Sequence, residues 1–130
     1  MIEGLIKVRN LMIKGLYRAI VRPILFRIDP EKIHDIFIKV GKTLGKVTIL
    51  KAITAFFFQY RNEKLHQELV GIKFENPIGL AAGFDKNAEM TDLIRSVGFG
   101  HIEVGSITGE PCKGNEKPRL WRLKKSKGLV

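Results

Sequence analysis

Asn76-Pro-Ile-Gly-Leu-Ala-Ala-Gly-Phe-Asp-Lys86 reads as a buried strand of small residues, Ile78 to Gly83, that opens into a loop ending in a cation. Ala88 to Val97 follows with helical character, and Gly98 is placed to end that helix. His101-Ile-Glu-Val-Gly-Ser-Ile107 then supplies the next strand. Strand, crossover helix, strand is a βαβ unit, which requires parallel pairing and helices covering the sheet. The expected class is therefore α/β.

Working towards the N-terminus, Leu69-Val-Gly-Ile-Lys-Phe-Glu-Asn76 is expected to form a short strand and turn, and the period becomes helical before Arg61-Asn-Glu-Lys64. Residues from Met1 to about Ile28 recur with helical spacing, with Leu5, Val8, Met12, Leu16 and Ile20 on one side. Lys7, Lys14, Arg18 and Arg22 lie on the other, a basic amphipathic pattern interrupted by Arg9 in the apolar arc and Leu11 in the basic one. Pro23 should end or kink this helix near Arg22. Asp29-Pro-Glu31 is a helix start, with Asp as N-cap, Pro at the first helical position and an acid in the first turn. Ile33, Ile36, Phe37, Val40 and Leu44 follow at the helical spacing i, i+3, i+4, i+7 and i+11, with Gly45 expected as the C-cap. Ile49 to Tyr60 continues the helical region. Gly109 to Val130, rich in Lys and Arg, is expected to be an excursion over the surface.

The 130 residues are 45% hydrophobic, which is compatible with one packed domain and argues against disorder. Lys and Arg number 23 against 13 Asp and Glu, so the net charge of +10 favours an anionic partner without choosing among lipid, phosphate and nucleic acid. The one cysteine, Cys112, excludes an internal disulfide and a CxxC or zinc-ligand spacing, and fits a reducing compartment. No metal site is expected. Glu3, Lys7, Arg9 and Lys14 interrupt the apolar N-terminus, so neither a signal peptide nor a membrane span is expected.

The chemistry is concentrated at the two strand ends. Ala81-Ala-Gly83 has almost no side chain, so a flat ring or a phosphate can approach the backbone, and Lys86 adds a cation there. The same residues also suit tight strand–helix packing with an exposed lysine. Gly105-Ser-Ile-Thr108 would place hydroxyls at the same edge as Lys86 if the strands are parallel, although isolated Ser and Thr are more often ordinary loop residues.

Asn76 to Lys86, Gly98-Phe-Gly100, Glu103-Val-Gly105, Gly114-Asn115 and Lys117-Pro-Arg119, in this order and spacing, resemble the opening signature of the dihydroorotate dehydrogenase family over about residues 66 to 130. The resemblance implies an FMN-dependent (β/α)8 TIM barrel that oxidises dihydroorotate to orotate, the redox step of pyrimidine synthesis. Carried over by position, Ala82, Gly83, Phe84, Asp85 and Lys86 line the FMN, Lys86 also contacts the substrate, and Ser106 takes an FMN-contacting position. A fixed cation at Lys86 would offset negative charge on orotate and on the reduced flavin.

Arg22-Pro-Ile-Leu-Phe-Arg-Ile-Asp-Pro-Glu-Lys-Ile-His34 is similar to the opening of the helical microdomain of the quinone-linked, membrane-associated class. In that class two helices form the mouth of a quinone tunnel, and His34 and Arg122, the latter within Pro118-Arg-Leu-Trp-Arg122, match positions lining the quinone site. Without the resemblance, His34 would be read as a partly exposed helix histidine. The implied division is a helical membrane-association and quinone-tunnel segment over 1–62 and the start of the barrel over 63–130. Peripheral attachment to an anionic membrane surface at the cytoplasmic face is the expected location.

Three departures from the family stand out. The loop Thr108-Gly-Glu-Pro-Cys-Lys-Gly-Asn115 carries Gly109 where the family has Pro and Cys112 where it has Gln. The chain begins about a dozen residues early, leaving Met12 as an alternative initiator. The family continues with a substrate-binding Asn-Arg-x-Gly-Phe-Asn-Asn segment and a catalytic serine base, both expected beyond Val130. A closed barrel takes about 250 residues, so the sequence is expected to be an N-terminal fragment, inactive alone, with no catalytic residue assigned within it.

Two other functions compete. A soluble fumarate- or NAD-linked dihydroorotate dehydrogenase is disfavoured by the helical lead. A basic amphipathic module could bind a membrane surface through residues 1 to 28, which carry six Lys or Arg. No nucleic-acid motif accompanies the basic tail from Lys113 to Lys127, and nucleic acid is not expected as a partner.

Overall fold

A computed structural model of the chain describes residues 2–130, so the expectation for Met1 lies outside the described residues. The chain divides into two units, residues up to Asp35 with 113–130, and residues 36–112.

In the first unit, α1 (Ile2–Leu16) runs into a π-helical turn over Tyr17–Val21 and then α2 (Arg22–Leu25). Of the two outcomes expected at Pro23, an end or a kink near Arg22, the end does not occur: the helical path passes through Pro23 by way of the π-helical turn and terminates at Phe26. The reason lies just upstream. Proline offers no N–H and crowds the carbonyl four residues back, and the wider turn, in which the Arg22 N–H reaches Tyr17 O, relieves that crowding. Leu5, Val8, Met12, Leu16 and Ile20 are all exposed.

Asp29 caps the next helix, α3 (Pro30–Lys46), as expected: its Oδ1 accepts the Lys32 N–H at 3.0 Å. The tail lies at the surface as expected, with none of residues 109–130 buried, and ends in regular structure. Two short strands, β5 (Arg122–Leu123) and β6 (Gly128–Leu129), form an antiparallel hairpin extended by reciprocal Trp121–Val130 backbone bonds of 2.7 and 2.9 Å. Glu31 anchors the approach to it, accepting the Arg119 N–H at 3.0 Å and pairing with Lys117 Nζ at 3.2 Å.

In the second unit α3 continues to Lys46, and α4 (Thr48–Phe58) follows after the extended Val47. Gly45 is not the C-cap. It lies within the helix and is buried, and a Cβ there would stand 3.0 Å from Asp92 Cβ and 3.3 Å from Leu93 N. Gly41 is likewise buried against the Met90 side chain. The buried face of α3 is thus Ile38, Gly41, Leu44 and Gly45, whereas Ile36, Phe37 and Val40, which share the apolar spacing, are exposed. Glycines let the helix approach its neighbour more closely than bulky side chains allow, which a hydrophobicity pattern cannot register.

After a 3₁₀ turn (Glu63–Leu65) capped by the Asn62 side chain, β1 (Gln67–Leu69) and β2 (Ile72–Phe74) form a hairpin where one short strand and a turn were expected. Val70 and Gly71 both have positive φ, 52° and 76°, the conformation that a tight two-residue hairpin turn demands. The parallel pair is β3 (Gly79–Leu80) with β4 (His101–Ile102), joined by α5 (Thr91–Val97). Both strands are shorter than the apolar runs that contain them, but bonds from Gly100 N to Ile78 O and from Glu103 N to Leu80 O extend the pairing at 2.8 and 2.9 Å. Helix α5 begins at Thr91, later than expected, and ends at the left-handed Gly98, as expected.

Met90, Leu93 and Ile94 form the core, packed by Ile38, Leu44, Leu80, Phe84, Val97, Phe99 and Ile102. Asn76 ties the start of the βαβ unit to its helix end, donating to Gly98 O at 3.2 Å and accepting from Ile78 N at 2.9 Å. A side chain on Gly100 would collide with the Asn76 carbonyl.

Candidate functional site

Because β3 and β4 run parallel as neighbours, the segments that follow them leave the sheet at one edge. One is Ala81 to Lys86, and the other contains Gly105 and Ser106. The expected flavin residues are thereby brought to the carboxyl ends of adjacent strands, where sites form in barrels.

The six residues differ in what they present. Ala82 and Gly83 are exposed, and Gly83 has φ 99° with nothing within 4 Å of where a Cβ would stand. Lys86 and Ser106 are exposed, and Lys86 makes no ion pair among the described residues. Phe84 is half-buried and packs against the core. Asp85 is fully buried, its carboxylate accepting the N–H groups of Glu89 at 2.8 Å and Met90 at 2.7 Å. Its side chain is committed to the backbone of its own loop. Bare, open backbone, an exposed cation and a hydroxyl on segments leaving one edge of the sheet suit a flat, anionic ligand.

One ion pair at this loop was not legible in sequence. Lys42 on α3 reaches Glu89 at 2.7 Å. The hydrogen bond from Lys42 and then its charge hold the Glu89 carboxyl below its ordinary value, against a smaller opposing effect of burial. The pair joins residues 47 positions apart, so no local spacing announces it.

His34 and Arg122 both fall in the first unit. His34 is half-buried on α3, with Nδ1 3.5 Å from Asp35 Oδ1. The Arg122 guanidinium lies 4.8 Å from the centre of the Phe26 ring, and its Nε donates to Ile28 O at 3.3 Å. Phe26 was singled out by no motif. An open cavity of about 390 Å³ beside the β1–β2 hairpin, lined by His66, Gln67, Glu68, Lys73, Phe74 and Glu75, contains none of the expected site residues.

Comparison with known proteins finds relatives along most of the chain. A protein of Christiangramia forsetii described as dihydroorotate dehydrogenase (quinone) is 43% identical over 119 residues, covering 88% of this chain and 34% of that protein. One of Roseiflexus sp., described in the same words, is 39% identical over 112 residues, covering 86% of this chain and 31% of that protein. The crystal structure of a DHODH from Eimeria tenella in complex with ferulenol aligns with a TM-score of 0.64 at 36% identity, covering 78% of this chain and 25% of that one. The chain thus spans about a third of the length of the curated relatives it matches. With the profile of the dihydroorotate dehydrogenase family matching residues 64–130 as well, this chain belongs to that family.

Proposed function

We propose that the chain is the N-terminal part of a quinone-dependent dihydroorotate dehydrogenase, which oxidises (S)-dihydroorotate to orotate through FMN in the synthesis of UMP. The observation that carries this reading is the shared edge: parallel β3 and β4 deliver Ala82–Lys86 and Ser106 to one side of the sheet. Ala82 and Gly83 offer backbone to the cofactor face, and Ser106 offers a hydroxyl. When bound, FMN accepts the hydride from dihydroorotate. Lys86 holds the anionic substrate and stabilises negative charge as it develops. Ion-pairing to no described residue, its ammonium is available for that task.

His34 and Arg122 line the quinone site in this reading, within a helical segment over 1–62 and a barrel start over 63–130. The segment attaches peripherally to the cytoplasmic face of the cell membrane. Exposed Leu5, Val8, Met12, Leu16 and Ile20 on a basic helix support lipid contact. Among the described residues, no helix is long and apolar enough to cross a membrane.

The test is made on the purified protein that carries this segment, read by flavin fluorescence after denaturation and by dihydroorotate-driven reduction of a soluble quinone. Bound FMN with turnover that Lys86→Ala strongly lowers without abolishing is the expected result. Absence of both flavin and turnover would overturn the reading. Residues 1–130 purified alone are expected to give no turnover, since β3 and β4 are one parallel pair of the eight strands a barrel needs.

A further inference from the structure

We propose that Asp85, braced by the Lys42–Glu89 ion pair, is a positioning residue that sets the Lys86 ammonium at the flavin edge. This rests on the reading of Lys86 given above and adds to it a reason for the lysine's placement. Asp85 has no accessible surface, and its two carboxylate oxygens are separately engaged, Oδ1 by the Glu89 N–H and Oδ2 by the Met90 N–H. The carboxylate therefore touches no ligand. It closes residues 85 to 90 into a ring in which Lys86, Asn87 and Ala88 are exposed, with Ala88 at φ 58° completing the turn.

The far side of the ring is anchored twice. The Met90 side chain is buried in the core beside Leu93 and Ile94 and fills the space above Gly41. Glu89 is held at its carboxylate by Lys42. Lys86, one peptide from Asp85, thus extends from a corner whose backbone is fixed by charge-assisted bonds on one side and by core packing on the other. A cation whose backbone anchor is set before substrate arrives needs less reorganisation during reaction, which favours electrostatic stabilisation.

The experiment uses the holoenzyme carrying this segment. Asp85→Asn, Glu89→Gln and Lys42→Met are each made with Lys86 present and with Lys86→Ala, kcat and KM are measured for dihydroorotate and for a soluble quinone, and orotate affinity is read from the flavin absorbance of the resting protein, where the same pattern of losses is expected. Asp85→Asn is expected to lower kcat/KM for dihydroorotate by about tenfold or more, as misplacement of a reacting group does. Glu89→Gln and Lys42→Met should each lower it about twofold, in keeping with a partly exposed pair. The quinone KM should not change, and all three effects should vanish in the Lys86→Ala background, because residues acting through one group are not additive. Effects that persist undiminished without Lys86 would overturn the inference. If Asp85→Asn does not fold, the two exposed-pair variants decide: dihydroorotate kinetics unchanged in both would also overturn it. If Lys86→Ala itself leaves dihydroorotate turnover intact, the substrate-binding reading of Lys86 fails first and this inference falls with it.

Discussion

Lys42 Nζ and Glu89 Oε2 stand 2.7 Å apart, joining the middle of α3 to the turn that precedes α5. The pair brings a helix of the N-terminal region against the loop that carries Lys86, although 47 positions separate its members. Its acid partner is held below the ordinary carboxyl value of 4.5, chiefly by the lysine's hydrogen bond and charge.

The pH dependence of stability follows from that shift. A carboxyl with a lowered folded-state pKa contributes stability that is fully present above its ordinary value and is lost as pH falls through the folded value. Glu89→Gln should therefore lower the unfolding midpoint at neutral pH by an amount equivalent to about 0.5 kcal/mol, typical of partly exposed pairs. The gap to the parent should close below pH 4.5. Thermal unfolding of both proteins across pH 3 to 7 (a range of about four units around the ordinary carboxyl value) reads this directly, and a gap that stays constant in acid would contradict it.

Two glycine substitutions should rank clearly. Gly41→Ala meets the flexible Met90 side chain, which can shift, so a loss of about 1–3 kcal/mol is expected from overpacking. Gly100→Ala meets the Asn76 backbone carbonyl, which cannot move without breaking the start of the βαβ unit, and should be the more damaging change. Urea midpoints would expose the opposite order if it held.

Gly83 separates backbone strain from ligand contact. Its φ of 99° disfavours any other residue, yet a Cβ would meet nothing within 4 Å. Gly83→Ala should cost about 1–3 kcal/mol of folding stability and should reduce flavin content beyond what that loss explains. Retained stoichiometric flavin would count against close approach of the cofactor at this backbone.

Phe26 supports Arg122 from below, with the guanidinium 4.8 Å from its ring centre. Phe26→Leu keeps the apolar volume and removes the cation–π attraction, worth about 0.5–1 kcal/mol at an exposed site. The expected outcome is a KM for quinone raised by about twofold to fivefold with the KM for dihydroorotate unchanged. Equal changes in both would show that Phe26 serves the fold alone.

Vesicle flotation tests the amphipathic lead. Met12→Glu introduces an acid on the exposed apolar side of α1, where Met12 is 69% accessible. Binding to anionic vesicles should fall without loss of thermal stability, since the side chain is not part of the core.

Local chemistry was legible where it depends on neighbours in sequence. The Asp29 cap, the Gly98 terminus and the parallel pairing of β3 with β4 all follow from residue types at short spacing. The buried face of α3 was not legible. Apolar periodicity points to Ile36, Phe37 and Val40, yet the helix packs through Gly41 and Gly45, because close approach to Met90 and Leu93 requires missing side chains. Gly71 is compatible with a turn, but the Val70–Gly71 hairpin places a β-branched residue at positive φ, against its local preference.

The sequence by itself determined the family and singled out the small-residue loop that ends in Lys86, since small residues followed by a cation carry their chemistry wherever the chain places them. Tertiary structure decided how each of these residues is used. Only folding could bury the Asp85 carboxylate against two backbone amides, bring Lys42 to Glu89 and lay Phe26 beneath Arg122. The last two contacts join residues far apart in the chain, and their energies exist only once the intervening segments are packed.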